Sequence, residues 1–302
     1  MPLVDALAQM GGVASRRGLV TATSRADLER ALAAGDIVRL ARGRYALPAA
    51  SEARRAAHRI TAIVSHRSAC LEHGWEVKHA PKHPEVLLPK NRRLSPASRR
   101  GITVHRADLT EDDIDGIATT KDRTLLDCLR SLPFDEALAI ADSALRHGFA
   151  PSRLSALALG ARGPGATRVR AVARLASGDA ANPFESVVRA LSIPVPGLGL
   201  VPQVSIFEGE FLGRPDLVDT RLRVAVECDS FEWRGSHPAL ERDARRYTRL
   251  AVRGWLVLRF TWSDAMHDPG YVQEMLVAAV AERTDRASGP QAPAGGTASH
   301  LL

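Results

Sequence analysis

Residues 213–229 set the acidic side chains of Asp216, Glu227 and Asp229 around two short apolar runs, and this spacing constrains the fold more than any other feature. Asp216 follows a proline before the first run, and Glu227 and Asp229 end the second run. Residues two apart in a strand project to the same face, so Glu227 and Asp229 point together. A turn at 219–221 would place the two runs side by side and bring Asp216 next to them.

Carboxylates that converge at a strand end supply the hard oxygen ligands that Mg²⁺ or Mn²⁺ prefers. Such a site activates water against a phosphodiester in many nucleases. The alternative is that these acids are solvated turn residues, which are common beside strands. The position of Glu227 favours the metal site, because a carboxylate that extends a β-prone run is costly to bury unless it is paired or metal-bound.

The motif Pro215-Asp216 followed by Glu227-Cys228-Asp229 resembles the signature of PD-(D/E)XK nucleases. The segments 224–235 and 239–262 are similar to the very-short-patch-repair-like endonucleases of that superfamily. The resemblance covers about residues 180–282. It implies a restriction-endonuclease-like domain of mixed helices and strands that hydrolyses phosphodiester bonds with Mg²⁺ or Mn²⁺.

The resemblance also implies roles for individual residues. The acid on the first helix of that family matches Glu185 here. The superfamily lysine is replaced by Asp229, and the histidine that relatives carry in the next segment is Arg234, with His237 close by. The chain therefore departs from the family pattern at two places, and the proton-transfer role is left unassigned.

The predicted metal ligands are the four acids Glu185, Asp216, Glu227 and Asp229. Asp216 and Glu227 would bind the metal directly, and Asp229 would act as a ligand or orient the attacking water. Glu185 would hold a second metal or a ligating water. Arg234 or His237 would stabilise the phosphorane charge or protonate the leaving oxygen, and such electrostatic stabilisation is usually the largest catalytic contribution.

Residues 1–49 predict a winged helix-turn-helix. Helical spacing of apolar residues marks a first helix, and 13–20 is predicted as a second short helix. Ser24 is a suitable N-cap for a third helix over 25–34. The stretch 37–48 alternates apolar and basic residues around a glycine, as a hairpin does. In this fold the third helix enters the major groove and the wing touches the DNA backbone or minor groove.

Arginines on these elements are the candidate DNA contacts, and most such contacts are to phosphate. Arg25 and Arg30 lie on the third helix, although Arg25 has an alternative partner in Glu29. The predicted wing carries Arg39, Arg42 and Arg44. A second basic stripe on the predicted helix 238–253 would hold the scissile strand, or form a solvated face; its members are Arg242, Arg245 or Arg246, and Arg249.

The N-terminal half, with its wing sequence Gly43-Arg44-Tyr45-Ala46-Leu47, is similar to the abortive-infection type IV antitoxins. The middle region continues this resemblance. It implies transcriptional autoregulation and a nucleotidyltransferase toxin as a cognate partner.

Charge is concentrated at the start of the chain. Residues 1–100 hold 18 Lys and Arg against 8 Asp and Glu, whereas residues 101–150 hold 5 against 10. Concentrated positive charge suits a polyphosphate partner, because neutralised phosphates release counterions. No apolar run is long enough for a membrane span and the N-terminus lacks the features of a secretion signal, so we expect a cytoplasmic protein that does not bind membranes.

These patterns predict an α/β protein, α+β overall, in five segments. They are a winged helix-turn-helix (1–49), a small α/β antitoxin-like domain (50–150), a helical linker (151–182), a restriction-endonuclease-like α/β domain (183–285) and a disordered tail (286–302).

The predicted function is binding of double-stranded DNA together with Mg²⁺-dependent endodeoxyribonuclease activity. The alternative is an antitoxin-like transcriptional regulator whose nuclease-like domain is inactive and binds DNA or a partner. A pure protein-interaction module is a third option, which the charge of residues 1–100 disfavours.

Overall fold

The structure is a computed structural model that describes residues 1–229 and 237–288, with the backbone alone at 237–240 and 287–288. Helices and several small sheets alternate along the chain, so the fold class is α+β, as predicted. The chain divides into two compact units, Met1–Gly178 and Asp179–Leu302.

The helices and strands have the following bounds. The helices are α1 (Leu3–Gln9), α2 (Arg16–Ala22), α3 (Arg25–Ala34), α4 (Glu52–Ile60), α5 (His66–Glu72), α6 (Pro96–Arg99), α7 (Lys121–Ser131), α8 (Phe134–Arg146), α9 (Pro151–Gly160), α10 (Ala166–Leu175), α11 (Pro183–Ser192), α12 (His237–Val252), α13 (Trp262–His267) and α14 (Pro269–Ser288). The strands are β1 (Val13–Ser15), β2 (Val38–Ala41), β3 (Arg44–Ala46), β4 (Ile63–Val64), β5 (Glu85–Leu88), β6 (Thr103–Arg106), β7 (Ile114–Asp115), β8 (Ala118–Thr119), β9 (Val201–Pro202), β10 (Ile206–Phe207), β11 (Phe211–Gly213), β12 (Leu217–Asp219), β13 (Val224–Asp229) and β14 (Leu256–Thr261).

The first unit begins with three helices and a three-stranded antiparallel sheet of order β1-β3-β2. This is the element order of a winged helix-turn-helix. The third helix has its predicted bounds, because the Ser24 hydroxyl accepts a hydrogen bond from the Asp27 amide (3.1 Å) and Gly35 ends the helix with φ +79°. Leu7, Leu19 and other apolar side chains of the three helices and the sheet form one core.

The prediction of a helix over 13–20 is wrong at its start. Residues 13–15 form β1, which pairs with β3 so that Val13 lies opposite Ala46. Helix α2 begins only after Ser15, whose hydroxyl accepts a hydrogen bond from the Gly18 amide (3.1 Å). Pairing with β3 of the wing satisfies the backbone hydrogen-bonding groups of residues 13–15. Helical periodicity does not reveal a partner that lies so far away in the chain.

A five-stranded mixed sheet of order β6-β5-β4-β8-β7 follows in the first unit. Its strands β5 and β6 are parallel, and β4 pairs with β5 antiparallel. Helix α5 packs on β5 and on α7, and α7 packs against α8. The apolar core of this sheet includes Val64, Val86 and Leu88.

Residues 151–178 differ from the predicted linker. Helices α9 and α10 pack against each other and against α7, and α10 also packs against α8. The buried residues Leu154, Val169 and Val172 supply their apolar faces. Because these helices bury their faces on α7 and α8, they belong to the first unit, which ends at Gly178.

The second unit contains a four-stranded sheet of order β14-β13-β12-β9. Strands β13 and β14 are parallel, with α12 between them in the chain, and β12 pairs antiparallel with both β13 and β9. A separate hairpin consists of β10 and β11. The predicted disordered tail begins within α14, which continues to Ser288, and the rest of that tail lies outside the described residues.

Candidate functional site

The two short apolar runs form neighbouring strands of the second unit, as the sequence predicts. Strand β12 pairs with β13 so that Leu217 lies opposite Val226. Asp219 stabilises the turn between them, because its carboxylate accepts hydrogen bonds from the amides of Leu222 (2.9 Å) and Gly199 (2.8 Å). The hairpin therefore brings the residue before β12 close to the end of β13.

Asp216 lies at this position and bonds directly to β13. Its Oδ2 accepts a hydrogen bond from the Cys228 amide (2.7 Å), and its Oδ1 accepts one from the Gln203 side-chain amide (3.3 Å). Burial raises the pKa of Asp216, and the hydrogen bond from Cys228 opposes that rise. The sequence prediction that Asp216 joins the acids of β13 is confirmed.

Glu185 lies in the first turn of α11 and is buried. Its carboxylate accepts hydrogen bonds from the Ala181 amide (2.8 Å) and the Asn182 side chain (2.9 Å), and thereby stabilises the start of the helix. It also accepts one from Gln203 Nε2 (3.1 Å), which reaches Asp216 as well. Glu185 thus shares a donor with Asp216 and has a helix-capping role that the spacing did not predict.

Glu227 is the most perturbed acid of the site. It is 5% exposed, and its Oε1 lies 3.1 Å from Arg246 Nη2 of α12 without the alignment of a hydrogen bond. Burial raises the pKa of Glu227 to about 8; Arg246 opposes this rise, and Asp216 and Asp229 add to it. Burial and the neighbouring acids therefore outweigh the positive charge of Arg246 at this carboxylate.

Asp229 is paired with a residue of the neighbouring parallel strand. Its Oδ2 lies 2.8 Å from both Nε and Nη2 of Arg259 on β14. The guanidinium groups of Arg259 and Arg246 lie 4.6 and 5.1 Å from the centroid of the Tyr247 ring. Tyr247 thus contacts both arginines that neutralise the two acids of β13.

Within residues 1–229 and 237–288, no group of three or more His, Cys, Asp or Glu side chains is arranged to hold a metal ion. The Glu185 carboxylate accepts hydrogen bonds at the start of α11, and the Asp229 carboxylate pairs with Arg259. The four predicted ligands therefore do not form one cage ready for a cation. Arg234 lies outside the described residues. His237 begins α12, and its side chain also lies outside them.

The predicted DNA contacts on α3 are compensated by acids of the same helix. Arg25 pairs with Glu29 (2.8 Å), and Arg30 pairs with Asp27 (2.9 Å). The hydrogen bond from Arg25 to Glu29 raises the pKa of Arg25. The surface of α3 is therefore less positive than the arginine positions alone predict.

The arginines of the wing differ from those of α3 in their contacts. Arg39 and Arg42 are exposed, whereas Arg44 is half-buried and donates a hydrogen bond to the Thr61 hydroxyl (2.7 Å). Arg39 and Arg42 line a cavity of about 570 Å³ together with Arg16 of α2 and Tyr45. Arg16 was not predicted as a contact, although it stands beside Arg17 in a basic dipeptide at the start of α2.

Helix α12 divides its arginines between solvent and the acidic site. Arg242, Arg245 and Arg249 are exposed, as the predicted basic stripe requires. Arg246 is half-buried and faces Glu227. The choice between Arg245 and Arg246 that periodicity left open is thus resolved, with Arg245 on the exposed face.

The sequence did not predict the roles of three residues of the site: Gln203, Arg246 and Arg259. Gln203 has a left-handed backbone (φ +57°) and precedes no recognisable motif. Arg259 lies opposite Glu227 in the parallel register, which a sequence does not reveal without the strand pairing. Of these three residues, Arg246 alone had a signal in the sequence, because it lies in the basic helix that follows the acids.

No family model matches the chain. Two uncharacterized proteins of Mycobacterium tuberculosis are 30% identical over 178 residues: Rv2248 of strain H37Rv and MT2308 of strain CDC 1551. The match covers 57% of this chain and 63% of each relative. The crystal structure of the Rv2827c protein of M. tuberculosis aligns with a TM-score of 0.34 at 17% identity, over 69% of this chain and 86% of that one.

In the described part of the chain, no helix has both the length and the apolar character to cross a bilayer.

Proposed function

We propose that this chain binds double-stranded DNA and hydrolyses its phosphodiester bonds with a divalent metal ion at the site around Glu227. The observation that carries the proposal is the buried Glu227 Oε1, which accepts no hydrogen bond from the residues that the structure describes. A buried carboxylate oxygen in that state costs free energy, about 1–3 kcal/mol or more for a charged group. Sites that retain such a cost are often functional.

The residues present fit a hard divalent cation. Asp216 and Glu227 lie on neighbouring strands, and the negative charges of Asp216 and Asp229 both act on Glu227. These two carboxylates would hold Mg²⁺ or Mn²⁺, and the ion would supply a Lewis acid and an activated water. Gln203 orients Asp216, and Arg259 fixes Asp229 at the edge of the site.

DNA binding is proposed for the wing and for the exposed face of α12. Arg39 and Arg42 are exposed on the wing, and Arg16 lines the same cavity. Exposed arginines without an acidic partner attract phosphate, and each contact to the backbone adds to the salt dependence of binding. A cognate toxin, which the antitoxin resemblance implies, remains part of the proposal as a partner.

A specific observation favours a second candidate, a DNA-binding regulator of the type IV antitoxin kind with an inactive nuclease-like unit. Arg246 and Arg259 pair with Glu227 and Asp229, so protein cations already neutralise two of the four acids. Ion pairs of this kind stabilise a binding module without any metal.

The test is incubation of the full chain with supercoiled plasmid in Mg²⁺, Mn²⁺ or EDTA. Metal-dependent nicking that Asp216→Ala abolishes supports the nuclease. Glu210→Gln is the matched control, because Glu210 is an exposed acid of the same unit that pairs with Arg253 (3.2 Å). Binding without cleavage in every metal supports the regulator instead.

The wing is tested separately by filter binding over a range of salt concentrations. Arg42→Ala and Arg44→Ala are expected to weaken binding of all sequences and to reduce the salt slope by about one unit each. Arg42→Ala is the cleaner variant, because Arg44 also bonds to Thr61. An unchanged slope in Arg42→Ala would remove the wing from the interface.

A further inference from the structure

Arg246 connects the acidic site to the basic helix α12. Its Nη2 lies 3.1 Å from Glu227 Oε1, 3.3 Å from Asp243 Oδ1 and 3.3 Å from the Tyr247 hydroxyl. The side chain crosses Gly213 so closely that a Cβ there would lie 2.8 Å from Arg246 Cδ. The glycine therefore leaves the space through which Arg246 reaches Glu227.

Arg246 and Glu227 attract each other electrostatically, but no aligned hydrogen bond joins Arg246 Nη2 to Glu227 Oε1. Glu227 Oε1 and Arg246 Nε are both buried, and neither has a hydrogen-bond partner within the described part of the chain. By contrast, Arg259 directs two nitrogens at Asp229 at 2.8 Å. A guanidinium is best satisfied by a planar, bidentate acceptor, so the Arg246 pair leaves donor capacity unused.

Two classes of ligand would complete these groups. The unpaired oxygen of Glu227 suits a cation with several open coordination positions, and the unused donor of Arg246 suits a phosphate oxygen. A guanidinium at 3.1 Å and a divalent ion compete for the same carboxylate oxygen, because each neutralises the same charge. The exposed Arg242, Arg245 and Arg249 place positive charge for a DNA backbone on the same helix.

We propose that Arg246 couples DNA binding to metal binding, and this rests on the proposed function. In the free protein Arg246 lies against Glu227 Oε1 and weakens binding of the divalent ion there. When a DNA phosphate reaches the site, Arg246 donates to the phosphate and Glu227 becomes available as a ligand. The coupling is reciprocal, so a bound divalent ion also releases Arg246 for DNA.

The test measures Mn²⁺ binding to the full chain without DNA, by the electron paramagnetic resonance signal of free Mn²⁺. Arg246→Gln is expected to bind Mn²⁺ about tenfold more tightly than the wild type, because the competing charge is gone. In EDTA the same variant is expected to bind duplex DNA several-fold more weakly. Arg246→Lys keeps the charge and should keep Mn²⁺ affinity near that of the wild type.

Arg253→Gln is the matched control, because Arg253 is an arginine of the same unit that pairs with Glu210 away from Glu227. It should leave Mn²⁺ affinity unchanged, and thermal unfolding shows that each variant is folded. Equal Mn²⁺ affinity in Arg246→Gln and the wild type would overturn the coupling, even if metal-dependent nicking stands. Absence of Mn²⁺ binding in both, together with absence of nicking, would overturn the proposed nuclease function as well.

Discussion

Two buried glutamates of this chain lie on strands of small mixed sheets and beside an arginine, yet their carboxylates differ in pKa by several units. Glu85 on β5 is 2% exposed, and Glu227 on β13 is 5% exposed. The pKa of Glu85 is lowered to about 2, whereas that of Glu227 is raised to about 8. Burial raises the pKa of both, so their hydrogen bonds decide the difference.

Glu85 is fully satisfied. It accepts hydrogen bonds from the Arg67 amide (2.8 Å) and from Arg67 Nη2 (2.7 Å) and Nε (3.2 Å), and His105 lies 3.9 Å away. Arg67 also pairs with Glu136 (3.3 Å). Burial opposes the low pKa of Glu85, and the nearby His105 ring together with the hydrogen bonds and charge of Arg67 outweighs it.

Glu227 has one arginine at 3.1 Å, no hydrogen bond at Oε1 from the described residues, and three further carboxylates close enough to raise its pKa, those of Asp216, Asp229 and Asp243. Burial therefore dominates at Glu227, whereas hydrogen bonding dominates at Glu85. A buried acid beside an arginine is therefore structural where its oxygens are satisfied. It becomes a candidate for ligand binding where an oxygen is left without a partner.

The largest expected effect is at Arg67. Arg67→Ala leaves Glu85 buried without its cation, which destabilises the first unit by about 3 kcal/mol. Urea-dependent hydrogen exchange of peptides from residues 1–178 measures this loss. Arg93→Ala, an exposed arginine of the same unit, is the control and should change stability by less than about 0.5 kcal/mol. A loss below about 1 kcal/mol at Arg67 would mean that Glu85 is not held mainly by this residue.

The second prediction is the pH dependence of Glu85→Gln. The folded pKa of Glu85 is below its unfolded value, so its contribution is present above about pH 4.5 and is lost as pH falls toward 2. Glu85→Gln should cost about 2–3 kcal/mol at pH 7 and progressively less in acid, since one pKa unit corresponds to about 1.4 kcal/mol. A penalty that is the same at pH 3 and pH 7 would contradict the charge assignment.

The third prediction is the pH dependence of Glu227→Gln, which has the opposite sign to that of Glu85→Gln. The folded pKa of Glu227 is above its unfolded value, so stability without metal is highest below about pH 4.5 and decreases as pH rises through 8. In EDTA, Glu227→Gln should be stabilising at pH 8.5, by on the order of 2 kcal/mol, and nearly neutral at pH 5. Hydrogen exchange of peptides from the second unit measures it.

Glu210→Gln, an exposed acid of the same unit, serves as the control for Glu227→Gln and should show little dependence on pH. If Glu227→Gln destabilised the second unit at pH 8.5 as Glu85→Gln destabilises the first at pH 7, the two glutamates would be equivalent. The contrast between them would then be lost.

The smallest expected effect is at Ser68, whose hydroxyl accepts a hydrogen bond from the Glu85 amide (2.9 Å). Ser68→Ala removes one partner of a buried donor and should cost about 1 kcal/mol. The same hydrogen-exchange measurement applies, with Ser152→Ala, at an exposed serine of α9, as the control. No loss in Ser68→Ala would show that this hydrogen bond does not stabilise the start of β5.

Local patterns fixed much of this protein. The caps at Ser24 and Gly35 determined the bounds of α3, and the acids beside two β-prone runs predicted that Asp216 would lie beside β13. The basic periodicity of residues 238–253 predicted the exposed arginines of α12. Caps, turns and side-chain periodicity act over a few residues, so the sequence carries them directly.

Tertiary structure alone decided which charges meet. Val13–Ser15 became a strand because the wing pairs with it, and Arg259 reaches Asp229 because β13 and β14 are parallel. Arg67 satisfies Glu85 while Arg246 leaves an oxygen of Glu227 unpaired. These outcomes depend on strand register and on angles between groups 18 to 33 residues apart in the chain, which no local pattern of residue types specifies.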